Sequence, residues 1–292
     1  MSPLQKAGLI EQIQDNGRVV GMWGDGANDC TALKTADVGL SLSEAEASIA
    51  APFTSKVQNI SSVIILLKQG RAALDLSTNL FKYVLLYSST QLSSMIILYY
   101  STCNLDDMQY GYIGLALVSP IILLICLMDT TDKLVAELPT QSLLHWSVLV
   151  SIIGQSLINI GVQIGGYFSV RGEDYFRPAT EHDDYTTDGY ESTAVFLTSM
   201  PQYLFVGIVY SIFTNFRCPI YKSYMFSFVV AVQFFITYWI IIHPEGFMKD
   251  ELELQDLDSG YRWFLAMITV ANGIWSFIFQ LWVYLLYQYL RK

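Results

Sequence analysis

Residues 19–42 read VVGMWGDGANDCTALKTADVGLSL, and this stretch decides the fold class. Val19, Val20, Met22 and Trp23 make an apolar run that reads as a buried parallel strand over 19–23. It ends in Gly24-Asp25-Gly26, two glycines around an acid, which turn the chain sharply and present Asp25 at the carboxyl end of the strand. Asp29 follows four residues later, at the expected amino end of a short helix through Ala32, Leu33 and Lys34. Open α/β sheets bind ligands in that crevice, where helix amino termini also favour anions. Asp25 and Asp29, with Asn28 beside them, suit a magnesium ion that keeps most of its waters and shares a phosphate oxygen. A plain turn followed by a helix cap accounts for the same residues. A calcium loop fits poorly, because an EF-hand needs oxygen ligands at alternate positions and a closing Glu at the twelfth.

The longer string carries a resemblance. GDGANDCTAL, Gly24 to Leu33, resembles the hinge motif GDGxNDxxAL of P-type ATPases, magnesium-dependent phosphotransferases built on a haloacid-dehalogenase-like domain. Cys30 and Thr31 fill its two loosely specified positions. The continuation LSEAEASIAAPFTSK, Leu42 to Lys56, is similar to the type V, subgroup B branch, which contains endolysosomal polyamine exporters. The opening MSPLQK resembles the segment whose lysine contacts the transferred phosphoryl group, a role that falls on Lys6. The resemblance implies a catalytic set of Lys6, Asp25, Asn28 and Asp29, cofactor contacts at Gly24 and Gly26, Mg2+ on Asp25 and Asp29, and ATP held mainly by absent upstream sequence.

Composition places most of the chain in a membrane. Of 292 residues 53% are hydrophobic and only 14% charged, where soluble domains run near a quarter charged. Cys30, Cys103, Cys126 and Cys218 are scattered without metal-ligand spacing, so neither a disulfide framework nor a zinc site follows. Residues 1–18 are polar and do not read as a signal peptide, which leaves targeting to the first membrane span. The expected organisation is the carboxyl-terminal part of a cytosolic α/β phosphorylation domain over 1–58, a stalk helix over 59–79 and a six-helix membrane domain over 80–292. Within the first part a helix is expected over 6–14 and a second strand over 38–42. Spans of about 20 residues are expected at 80–102, 110–128, 146–169, 193–213, 223–242 and 262–288, with both termini cytosolic. Lys68, Arg71, Lys82, Lys133, Arg217, Lys222, Arg291 and Lys292 then lie inside. The opposite loops hold most of the acid: Glu173, Asp174, Glu181, Asp183, Asp184, Asp188 and Glu191, then Glu245, Asp250, Glu251, Glu253, Asp256 and Asp258. Such a rim concentrates cations within a Debye length, roughly 8 Å, and equally serves solubility.

Polar side chains inside spans face protein or a pathway. Tyr87 and Gln91 share one face of the first span, and their residues alone fit interhelical bonding or a pathway equally. The resemblance of LYSSTQ, Leu86 to Gln91, to the branch's substrate-lining segment assigns them to the pathway. The second span departs from the branch pattern QFxxIDL: it reads Gln109-Tyr110-Gly111-Tyr112-Ile113-Gly114-Leu115, with Gly114 in place of the membrane acid, which weakens polyamine as substrate. Asp129, fifteen residues on and so about 22 Å away along a helix, cannot stand in for it. Gln155, Asn159 and Gln163 at spacing four, beside Gly161 and Gly165, read foremost as helix packing. Pro120 and Pro201 are expected kinks.

The DKTG and TGE strings of P-type ATPases do not occur. The resemblance therefore implies the last quarter of an ATP-driven cation or polyamine pump, inactive alone, with Met1 aligned to an internal family methionine and so a fragment rather than a short protein. The implied partners are membrane lipid, a cation or polyamine substrate and the rest of the pump polypeptide, not nucleic acid, and the implied location is an endolysosomal, vacuolar or other endomembrane. The alternative is a non-catalytic, pump-derived membrane protein or interaction partner, for which Lys6 and Asp25 would be dispensable.

Overall fold

The computed structural model describes residues 1–44, 49–57, 59–178, 187 and 189–290. Part of the 42–56 stretch, the acids Glu181, Asp183, Asp184 and Asp188, and the terminal Arg291 and Lys292 lie outside the described residues. The chain divides into two compact units, Met1–Gly70 and Arg71–Lys292.

In the first unit, helix α1 (Pro3–Asp15) starts at a capping box. The Ser2 hydroxyl accepts from the Gln5 backbone N–H at 3.3 Å, and the Gln5 side chain accepts from the Ser2 N–H at 2.9 Å. Pro3 sits in the first turn, where its missing N–H costs nothing. The helix thus begins ahead of the expected residue 6 and sets Lys6 one turn inside it. Strand β1 (Gly21–Gly24) pairs in parallel with β2 (Val38–Ser41), which pairs in parallel with β3 (Phe53–Thr54). The expectation of a buried strand over 19–23 is corrected in two ways. Pairing starts at Gly21, opposite Val38, so Val19 precedes the strand and is 84% exposed. Strand residues alternate faces, so Met22 packs against Leu33 and Ala50 whereas Trp23 remains 42% exposed. Between β1 and β2 lie a 3-10 turn, Ala27–Asp29, and helix α2 (Cys30–Thr35). A Cβ on Gly39 would stand 2.5 Å from the Leu33 carbonyl oxygen, so only glycine lets β2 approach α2 this closely.

The unit boundary falls within helix α3 (Ser61–Tyr99). In the second unit, five helical segments are long and apolar enough to cross a membrane: Asp107–Cys126, Trp146–Val170, Tyr190–Ile212, Tyr224–Ile242 and Ser259–Leu290. They match five of the six expected spans. The sixth, 80–102, is the later part of α3 and falls short of that standard, because Ser88, Ser89, Thr90, Gln91, Ser93 and Ser94 interrupt its apolar run.

The first of the five is built from α4 (Asp107–Gly111), a π-helical stretch over Tyr112–Val118 and α5 (Ser119–Cys126), with Pro120 in the first turn of α5. A proline cannot supply the regular backbone donor, and the irregular turn before it frees carbonyls. Ser119 Oγ donates to the Gly114 carbonyl at 2.7 Å, and Gln233 Nε2 donates to those of Ala116 and Leu117 at 2.7 and 3.2 Å. Helix α6 (Trp146–Val170) and α10 (Ser259–Leu290) flank α7 (Tyr190–Ile212), the most enclosed helix, which continues through Pro201. Helix α8 (Tyr224–Ile242) packs on α5, α7 and α10. The short α9 (Phe247–Glu251) opens an acid-rich loop that is pinned rather than open: Leu252, Leu254 and Leu257 are buried, and Gln109 Nε2 donates to the Leu252 carbonyl at 2.7 Å.

Candidate functional site

The GDGAND loop leaves β1 at Gly24 and enters α2 through the Ala27–Asp29 turn. Asp29 occupies the position before α2 but makes no side-chain cap bond. Its carboxylate instead meets Lys6 of α1, Nζ to Oδ1 2.6 Å, with Lys6 about a third exposed and Asp29 largely buried. Gly24 is what makes room for that carboxylate. A Cβ there would lie 2.5 Å from Asp29 Oδ2 and 2.7 Å from its Cβ and Cγ. Asp25 and Asn28 are exposed, and Gly26 is half-buried with open space around its Cβ position. The structure therefore joins Lys6, Gly24 and Asp29 in one contact and leaves Asp25 and Asn28 facing solvent on the same loop.

Among the described residues no group of three or more His, Cys, Asp and Glu side chains could hold a metal ion. The donors present suit an ion that keeps waters and takes further ligands from a phosphate, since Asp25 is accessible and Asp29 is partly neutralised by Lys6. One more acid braces the scaffold. Asp37 accepts from the Val20 N–H at 2.8 Å and from Gln14 Nε2 at 3.1 Å, and these bonds hold its carboxyl below the usual carboxylate range.

In the membrane unit, Tyr87 and Gln91 lie one turn apart on α3 and are half-buried. The Tyr87 ring meets that of Tyr203 edge-on, centroids 5.9 Å apart. Next to Gln91, Thr90 is the hub of a buried polar network. Its hydroxyl accepts from Asn159 Nδ2 at 3.1 Å and its carbonyl from Gln163 Nε2 at 3.2 Å. Gln163 also accepts from Ser93 at 2.7 Å and donates to Gln202 at 3.1 Å, and Gln202 donates to the Asn159 carbonyl at 3.1 Å. Gln155 donates to the Ser276 carbonyl, and Ser151 to Gln280. The α6 amides thus bond across helices.

Three charged positions differ from the sequence reading. Asp75, on the polar side of the expected stalk, and Arg217, read only as an inside-loop base, form a buried pair, Nε to Oδ2 3.2 Å, with Thr214 and Asn79 also donating to that oxygen. Arg217 donates further to the Ile125 carbonyl, and Arg71 to those of Val135 and Glu137. Glu191, read as part of an open acidic rim, is fully buried in the first turn of α7 and meets Arg171 Nε at 3.4 Å. The missed partners had a partial signal: Asn272, Ser276 and Gln280 repeat every four residues on α10 as Gln155, Asn159 and Gln163 do on α6.

No protein-family model matches the chain. Individual relatives do. It is 37% identical over 299 residues to polyamine-transporting ATPase 13A3 of Homo sapiens, which covers 94% of this chain and 24% of that protein. Polyamine-transporting ATPase 13A2 of Homo sapiens is 36% identical over 283 residues, 96% of this chain and 24% of that protein. The vacuolar cation-transporting ATPase YPK9 of Saccharomyces cerevisiae is 35% identical over 274 residues, 93% and 18%. The chain spans about a quarter or less of these relatives' lengths. They are transporting ATPases of the membrane, the class to which the apolar helices and the GDGAND loop point. Over more than nine tenths of its length the chain is thus similar to transporting ATPases of the type V P-type family.

Proposed function

We propose that the chain supplies one side of the phosphoryl-transfer site and the six carboxyl-terminal spans of an ATP-driven, polyamine-type cation pump, the later part of α3 being the sixth. The observation that carries this is the Lys6–Asp29 contact within a GDGAND loop, in a chain 36% identical to polyamine-transporting ATPases over most of its length. In this reading residues 1–58 belong to a haloacid-dehalogenase-like domain, and the exposed Trp23 face supports a sheet completed by further sequence.

Asp25, with Asp29 and Asn28, holds magnesium, with Gly24 and Gly26 shaping the loop around the cofactor. When bound, the ion neutralises charge on phosphate oxygens. Lys6 places an ammonium against the transferring phosphoryl group, a preorganised charge of the kind that lowers such barriers. Asp29 holds that ammonium in place. ATP and the acceptor aspartate are supplied by other sequence of the pump, so this chain alone hydrolyses no ATP. The earlier part of α3, up to residue 79, is the stalk, and Tyr87 and Gln91 in its later part line the path, in an endolysosomal, vacuolar or other endomembrane with both termini cytosolic. Gly114 leaves its place in the second span uncharged, and a side chain there meets open space, with no heavy atom within 4 Å of the Cβ position.

The test is steady-state ATPase activity of a pump containing this segment, with spermine varied. Asp25→Asn is expected to abolish turnover, Gln91→Ala to alter the spermine dependence, and Gly114→Asp to increase spermine sensitivity. Full turnover in Asp25→Asn would overturn the metal assignment and favour a non-catalytic role for the loop.

A further inference from the structure

Five residues before Tyr87 on α3, Lys82 lines a polar cavity of about 90 Å3 together with Asp75, Asn79, Thr214, Gln280 and Tyr284. The cavity shares Leu138, Pro139, Thr140 and Tyr287 with a wider groove of about 510 Å3 whose walls include His145, Trp146 and Leu290. The two form one crevice of mixed polar and apolar lining, with an aromatic cluster at its mouth. The rings of His145, Trp146 and Tyr287 lie 5.6 to 6.5 Å apart at that mouth, where the candidate spans α6 and α10 respectively begin and end. Aromatic residues favour that level, the boundary between hydrocarbon and water.

The acid on the floor, Asp75, is already paired with Arg217. The Lys82 ammonium has three donors. Its one hydrogen bond in the structure is a long contact, 3.5 Å to Asn79 Oδ1, and it stands 5.5 Å from the centre of the Tyr210 ring. Asp75 lies on the same floor but makes no ion pair with Lys82 among the described residues, its Oδ2 accepting from Thr214, Arg217 and Asn79. A cation enclosed with so few acceptors is costly unless a partner is supplied. With Arg217 offsetting Asp75, the remaining charges on the lining are Lys82 at the floor and the exposed Glu137, whose Oε2 accepts from Asn215 at 3.1 Å. One cation inside and one anion toward solvent match a ligand that carries a phosphate and an amine on a short linker.

We propose that this crevice binds the headgroup of an ethanolamine phospholipid, its phosphate on Lys82, its ammonium on Glu137, and its chains leaving past Trp146, Tyr287 and Leu290. A purely anionic headgroup gains nothing from Glu137. A choline headgroup has no N–H to donate to it. The site is independent of the phosphoryl-transfer reading, since it uses none of those residues.

The experiment is native mass spectrometry of the purified chain in detergent, titrated separately with phosphatidylethanolamine, phosphatidylcholine, phosphatidylglycerol and inorganic phosphate. The ethanolamine lipid is expected to bind about tenfold more tightly than the others, and Lys82→Met to lose about tenfold while Lys82→Arg retains binding. Glu137→Gln, at an exposed residue and so safe for folding, is expected to equalise the ethanolamine and choline lipids. Equal binding of all lipids by the unaltered chain, an unchanged preference in Glu137→Gln, or phosphate binding without any lipid preference would each overturn the proposal.

Discussion

Gly24 and Asp29 are coupled by a steric condition: the carboxylate that meets Lys6 occupies the space a Cβ on residue 24 would need. Gly24→Ala must therefore push Asp29 aside and separate it from Lys6. Misplacing a catalytic group by about an ångström costs on the order of 100-fold in rate, and phosphoenzyme formation by a pump carrying Gly24→Ala is expected to fall by about that factor in a rapid-quench measurement. Asp37 gives a second prediction at this scale. Its hydrogen bonds to Val20 and Gln14 lower the folded value below the unfolded one, which is about 3.9. Its contribution is therefore complete above that value and is lost as pH falls through the folded value. Hydrogen exchange at the Val20 amide is expected to show protection that declines below about pH 4, and Asp37→Asn to remove that pH dependence. The placement of the GDGAND loop between a strand and a short helix was legible because its residues are neighbours in sequence. The Lys6–Asp29 contact and the Gly24 condition were not, since each depends on how α1 and α2 pack.

Among the elements, α6 was the most readable, because amides repeating every four residues in an apolar helix need partners on facing helices. What could not be read was which partners: Thr90 on α3 and Gln202 on α7 emerge only from the packing. Gln163→Leu would strand Gln202 Oε1 and leave Ser93 only its bond to the Thr90 carbonyl, and is expected to cost about 1 kcal/mol in reversible unfolding from mixed micelles. The Asp75–Arg217 pair was invisible in sequence because it joins residues 142 apart, one on α3 and one between α7 and α8. Arg217→Ala leaves a largely buried carboxylate without its counter-ion and is expected to cost about 3–5 kcal/mol by the same assay, with Asp75→Asn in the same chain recovering part of it. Pro120 correctly marked an irregular second span, but the capture of its freed carbonyls by Gln233 required α8 in place. Ser89, Thr90 and Ser93 lowered the apolar character of α3 with the same hydroxyls that bond to α6.

At the scale of the whole molecule, low charge and high apolar content were enough to separate a membrane unit from a small α/β unit. The short parallel sheet leaves Trp23 exposed on one face. In the proposed function the loop with Lys6, Asp25 and Asp29 carries magnesium-dependent phosphoryl transfer for a cation pump. The measurement that tests it most directly is the level of acid-stable phosphoenzyme formed from labelled ATP by the pump containing this segment, compared between the unaltered protein and Asp25→Asn while magnesium is varied. Phosphoenzyme that depends on magnesium is expected in the unaltered protein, and none in Asp25→Asn at any magnesium concentration. Equal phosphoenzyme levels in the two proteins, with the same magnesium dependence, would contradict it.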